Sequence, residues 1–177
     1  MSETTTDPRE LLLLGLLRRQ EMHGYQLNEF LLGELSLCAN IKKPTAYYLL
    51  KKMAEQGWIA ESVEQEGNRP PRRVYRITPN GEQAFQQLLR QILPIYTPTY
   101  FESDLPLAYL DELPPTEARH LLKQRYEQLQ QAQQALEQTP PHAGSVQWLI
   151  EHQRRHLRLE IELLEEILSH LAQEATI

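Results

Sequence analysis

"NIKKPTAYYLLKKMAEQGWI", residues 40–59, crowds four lysines, a threonine and two adjacent tyrosines onto one short segment. Pro44 suits the first turn of a helix, where its missing N–H has no partner to lose. Ala46, Leu49, Leu50 and Met53 recur at i, i+3, i+4 and i+7 and define an inward face. Gly57 ends the helix. Packing dictates that one side; Thr45, Tyr48, Lys51, Lys52 and Glu55 are left on the other, with Tyr47 at its flank. Ammonium and hydroxyl groups gathered on such a face suit phosphates and base edges.

Upstream, "PRELLLLGLLRR" (8–19) reads as a buried helix, with Asp7 as N-cap, Pro8 at the first helical position and Glu10 at the third. "MHGYQLNEFLLGEL" (22–35) carries a rough helical stripe of Tyr25, Leu27, Phe30, Leu31 and Leu35 behind a break at His23-Gly24. Downstream, Trp58–Val63 and Arg73–Ile77 have a β-like pattern around the polar turn "EQEGNRPPR". Thr78 then caps a helix that opens on Pro79 and turns Ala84, Phe85, Leu88, Leu89 and Ile92 inward. Three helices, a hairpin and a further helix are the elements of a winged helix-turn-helix, and the third helix is the one that enters a major groove.

A proline-rich stretch, residues 92–117, ends this unit, so the expected domains are 1–95 and 96–177. Two long helical stretches follow. Pro114–Gln138 has Ala118, Leu121, Leu122, Leu129, Ala132 and Leu136 as its seam and Thr116 as a candidate cap. In Ser145–Gln173, residues Leu157, Ile161, Leu164, Leu168 and Leu171 alternate by four and three, the spacing of an intersubunit or interhelical seam. The expected fold class is mainly α with a β wing: an N-terminal winged helix-turn-helix followed by a C-terminal helical dimerisation domain.

Charge divides along the same line. Residues 1–93 hold 12 Lys+Arg against 11 Asp+Glu, a net of +1, and residues 94–177 hold 6 against 13, a net of −7. Between Asn40 and Arg76 the balance is 8 basic against 4 acidic. The acidic half would be repelled by a nucleic acid backbone, which reserves it for protein contacts. No apolar run approaches the roughly 20 residues of a membrane span. The polar, acidic start "MSETTTDPRE" reads as neither signal nor transit peptide, and the single cysteine, Cys38, suits a reducing compartment. Cytoplasmic location is the expectation.

These residues resemble the PadR family of bacterial transcriptional regulators. Its first block is met by Leu14-Gly15-Leu16-Leu17 and His23-Gly24-Tyr25-Gln26-Leu27, and its recognition helix by Thr45, Tyr47, Leu50 and Gly57, with Met53 replacing a Leu. Its wing and following helix are met by Arg69-Pro70, Arg72-Arg73, Tyr75-Arg76, Thr78 and Gly81. Tyr48 stands where many members have Pro, and Pro71 doubles the wing proline. The resemblance implies a homodimeric regulator, most simply a repressor, on a pseudo-palindromic operator in double-stranded DNA. It also implies a possible small aromatic effector.

The expected DNA contacts are Tyr25, Lys42, Lys43, Thr45, Tyr47, Tyr48, Lys51, Lys52, Arg69, Arg72 and Arg73. Thr45 has an alternative as a helix cap, and Tyr25 and Tyr47 as core residues with their hydroxyls at the rim. The dimer seam is expected at Leu157, Ile161, Leu164, Leu168 and Leu171, and an effector pocket at Tyr96, Tyr100, Phe101, Tyr109 and Trp148. These aromatics could equally be core.

Catalytic readings find no support. Cys38 sits in an apolar stretch without a nearby His. "GNRPPR" lacks the glycines and Lys-Ser/Thr of a phosphate-cradling loop. His152 and His156 lie four apart on one helix, yet no Glu/Cys pattern completes a metal site, and no cofactor is implied. Two rival readings remain: a winged-helix adaptor that binds protein instead of DNA, and a metal-dependent sensor or enzyme built on His152 and His156.

Overall fold

The structure is a computed structural model that describes residues 7–23, 26–27, 29–30, 41–65 and 72–174. Its order is α1 (Pro8–Leu17), β1 (Met22–His23), α2 (Lys43–Glu55), β2 (Ile59–Glu64), β3 (Arg72–Ile77), α3 (Pro79–Ile92), a 3-10 segment (Glu102–Glu112), α4 (Pro115–Glu137) and α5 (Val146–Glu174). Residues 26–27 and 29–30 are helical as well. The chain divides into two compact units, Met1–Thr97 and Pro98–Ile177.

Local chemistry sets the boundaries of the first unit. Asp7 caps α1 by accepting the Arg9 N–H at 2.9 Å. Helix α2 ends in a Schellman turn: Gly57, at φ +71°, donates to the Ala54 carbonyl and Trp58 donates to that of Met53. Thr78 caps α3 by accepting the Gly81 N–H at 3.1 Å. Its hydroxyl lies 2.7 Å from the Gly57 carbonyl and 3.0 Å from that of Trp58, so one side chain ties the end of α2 to the start of α3.

The sheet is three-stranded and antiparallel, ordered β1-β3-β2. Its edge strand β1 was not expected: Met22 pairs with Tyr75 and His23 with Val74, where a helix had been read from Met22 onward. Two residues show no period, and their partner lies about fifty positions away, so only tertiary pairing creates this strand. Leu13, Leu14, Leu50, Met53, Met22 and Leu27 form the centre of the core beneath the sheet. Arg18 secures α1 to α3, with its Nε 2.6 Å from Glu82 and its guanidinium 4.3 Å above the Phe85 ring.

In the second unit α4 and α5 pack as a helical pair around Ala118, Leu122, Leu164 and Leu171. The proline-rich stretch is more ordered than its composition suggests. Leu107 and Leu110 of the 3-10 segment pack against this core, and the helical run kinks at Tyr109. Arg125 anchors the segment by donating to the Ser103 carbonyl at 2.9 Å and to Asp104 at 2.6 Å. Helix α4 starts after Pro114 without a side-chain cap, so Thr116 is not its cap, and the seam residues Leu121 and Ala132 are exposed.

The leucine seam of α5 packs in part within the protomer. Leu164 and Leu171 are buried against α4 of the same chain, Leu168 packs beside them, Ile161 is buried and Leu157 half-buried. Leu164, Leu168 and Leu171 thus form an interhelical seam within the protomer. What α5 leaves outside is a different stripe: Trp148 at 74% exposure, Leu159 at 64%, and Leu163. Spacings of eleven and four return these three to one side of a 3.6-residue helix, roughly opposite Leu164.

Candidate nucleic-acid interface

Helix α2 presents the face that packing does not use. Tyr48 is 66% exposed, Tyr47 is exposed at the flank, and Lys42, Lys43 and Lys51 all face solvent. The Lys43 ammonium lies 6.0 Å from the centre of the Tyr47 ring, the outer limit of a cation–π contact. Lys51 has an i,i+4 neighbour in Glu55 at 3.8 Å, an exposed pair of little energetic weight. Thr45 is half-buried within the helix. It is not the cap, because that position falls to Lys42.

The start of this helix is electrostatically unusual. Lys42 at the N-cap offers no side-chain acceptor, and no acid stands in the first turn. The orphan N–H groups and the positive end of the helix dipole therefore face outward beside two ammonium groups, an arrangement that disfavours the isolated helix and favours an anion.

Lys52 departs from the expected set. Its Nζ lies 2.7 Å from Oε1 of Glu10, which raises its pKa above the usual lysine range. Glu10 itself is 2% exposed, the buried charged residue among the described residues. An open groove of about 810 Å³ runs past the pair, floored by Trp58, Ala84 and Leu88 and rimmed by the amides of Gln83, Gln87 and Gln91. Reading the sequence alone missed this pairing. Its one signal was that Glu10 falls three, four and seven positions before Leu13, Leu14 and Leu17, on their buried face.

The wing supplies a second cationic element. Arg73 is exposed on β3 and pairs with Glu61 of β2 at 2.8 Å, while Arg72 is half-buried at the strand start. At the opposite edge Arg76 reaches Glu21 at 2.6 Å, and this contact lowers the Glu21 pKa. Between the arginines Tyr75 is buried, and desolvation raises its phenol pKa. Tyr25, Arg69 and Cys38 lie outside the described residues.

The expected pocket aromatics are surface residues. Tyr96 belongs to the first unit, and Tyr100, Phe101, Tyr109 and Trp148 to the second. Phe101 stacks on the His156 ring with centroids 5.1 Å apart. His156 Nε2 in turn lies 3.0 Å from Glu160. Among the described residues no group of three or more His, Cys, Asp or Glu is placed to hold a metal, and no helix is long and apolar enough to cross a membrane.

Comparison with known proteins agrees with this geometry. The profile of the transcriptional regulator PadR-like family matches residues 13–87. The negative transcriptional regulator PadR of Bacillus subtilis is 30% identical over 124 residues, which span 70% of this chain and 66% of that protein. The crystal structure of B. subtilis PadR in complex with operator DNA matches with a TM-score of 0.82 at 22% identity, covering 93% of this chain and 99% of that one. B. subtilis PadR in complex with p-coumaric acid matches with a TM-score of 0.75 at 21% identity, covering 92% and 98%.

Proposed function

The chain belongs to the PadR-like family of transcriptional regulators, and from that premise we propose that it works in the cytoplasm as a homodimeric repressor of promoters. Each protomer docks the exposed face of α2 in a major groove. Lys42, Lys43 and Lys51 neutralise phosphates, and Tyr48, with Thr45 behind it, reaches base edges. Arg73 exchanges its weak surface pair with Glu61 for a phosphate of the flanking backbone, with Arg72 beside it. Two-fold pairing of protomers requires a pseudo-palindromic operator, its half-sites about one helical turn or a multiple apart.

One observation carries this reading: the uncapped, acid-free start of α2, with Lys42 at the N-cap position and Lys43 as the first helical residue. Basic residues at a helix N-terminus are unfavourable in isolation and become favourable once a phosphate occupies the end.

Self-association goes to the stripe that α5 leaves outside, Trp148, Leu159 and Leu163, because Leu164 and Leu171 of the heptad seam are buried in the core shared with α4. Large apolar side chains left exposed along one side of a helix suit an interaction site. A small aromatic acid serves as effector, a reading supported by the relative bound to p-coumaric acid; its binding lowers affinity for the operator.

The test is retention of sheared DNA from the source genome on the purified protein at low ionic strength, followed by sequencing. Enrichment of a pseudo-palindromic promoter segment, lost steeply as salt rises, is the expected outcome. A protein that retains no duplex at low salt refutes the reading.

A further inference from the structure

Glu10 occupies a place where an apolar residue would be ordinary. It lies on the face of α1 that carries Leu13, Leu14 and Leu17, and only 2% of its surface reaches solvent. At the third position of a helix a glutamate commonly caps its own first turn. Here Asp7 accepts the Arg9 N–H, and the Glu10 carboxylate reaches across to Lys52 at 2.7 Å. Desolvating a carboxylate costs several kcal/mol, and replacing a buried ion pair by apolar side chains is often neutral or stabilising. Stability alone gives no reason for this pair.

Register gives one. A slip or rotation of either helix parts the two charges and leaves the carboxylate buried without a partner, the costly state. An apolar contact would tolerate the same movement. Lys52 follows Lys51 and lies one turn beyond Tyr48 on the same side of the helix, so the pair grips α2 at the margin of the face that carries the DNA-facing side chains.

We propose that Glu10 is a positioning residue for DNA recognition: by holding Lys52 against α1, it fixes the rotation of α2 about its axis and hence the angle at which Tyr48 and Lys51 meet the duplex. The inference rests on the DNA-binding reading above.

The experiment compares affinity for two duplexes, the genomic segment most strongly retained by the wild-type protein and a scrambled sequence of equal length and composition. The variant is Glu10→Met with Lys52→Met, which fills the site with apolar side chains of similar length. We expect it to fold, with thermal stability equal to or above wild type. Its preference for the genomic segment should fall about tenfold, the size of one impaired base contact, while binding to the scrambled duplex is kept. A folded variant with the wild-type preference overturns the proposal. If the double variant does not fold, Glu10→Gln, which keeps the shape and removes the charge, is judged by the same ratio. The wild-type arm separates the two failures: no discrimination there sinks the DNA-binding reading and this inference with it, whereas discrimination unchanged by the variant sinks the inference alone.

Discussion

Gly81 lies so close beneath Trp58 that a Cβ built on it would stand 1.9 Å from the Trp58 carbonyl oxygen. That oxygen is a backbone atom, and it also accepts the Thr78 N–H at 3.0 Å, so it cannot yield without moving the start of the wing. Gly81→Ala should therefore destabilise the first unit by about 1–3 kcal/mol, the range of an overpacked site. The midpoint of urea unfolding measures this. An unchanged midpoint means the α3–wing contact can open to admit a methyl group.

The same junction shows what a sequence makes legible. Asp7-Pro8, Thr78-Pro79 and Gly57 each act through their own neighbours, so their chemistry could be read from adjacent residues, and the structure has all three in the expected roles. Strand β1 and the Glu10–Lys52 pair depend on partners roughly forty to fifty residues away, which no local pattern announces. The α5 heptad is an intermediate case. Its spacing specifies that a helix must pack there and is silent on which chain supplies it; the short "TPPHAG" connection brings α4 back first. On α2 the inward face followed from periodicity, and the exposed face followed by subtraction, apart from Lys52.

Lys42 and Lys43 form the uncapped start of α2. Replacing both by Gln should leave the fold intact, because both are exposed and neither has an ion pair among the described residues. If each neutralises one phosphate, a dimer loses four contacts and the slope of log K against log salt falls by about 3.6, from roughly 0.9 per contact. A titration of operator binding at several salt concentrations reads the slope directly. An unaltered slope removes both lysines from the interface.

Leu163 and Leu164 are adjacent on α5 and differ in exposure, the first at 42% and the second buried. Leu164, at 1% exposure, belongs to the core shared with α4. Its change to Ala should cost about 2–5 kcal/mol of stability. Leu163→Ser combined with Trp148→Ser should instead preserve helicity and shift the protein toward the protomer in sedimentation equilibrium. A dimer that survives the second change unaltered shows that this stripe is not the interface.

Alkaline pH tests the buried groups of the first unit. Burial, chiefly, raises the Tyr75 pKa, and the Glu10 carboxylate raises that of Lys52. Both groups thus hold their protons more tightly folded than unfolded, and protonation stabilises the native state. That contribution is complete below about pH 10, where the unfolded phenol and ammonium titrate. Above it the unfolded chain releases protons first, so unfolding free energy falls as pH climbs toward the raised folded values. Urea unfolding between pH 8 and roughly 11 should show a plateau followed by a decline. Tyr75→Phe should flatten part of that decline, since the phenylalanine has no proton to lose. A variant with the full wild-type decline would mean that the Tyr75 phenol titrates in the folded protein as it does in the unfolded chain.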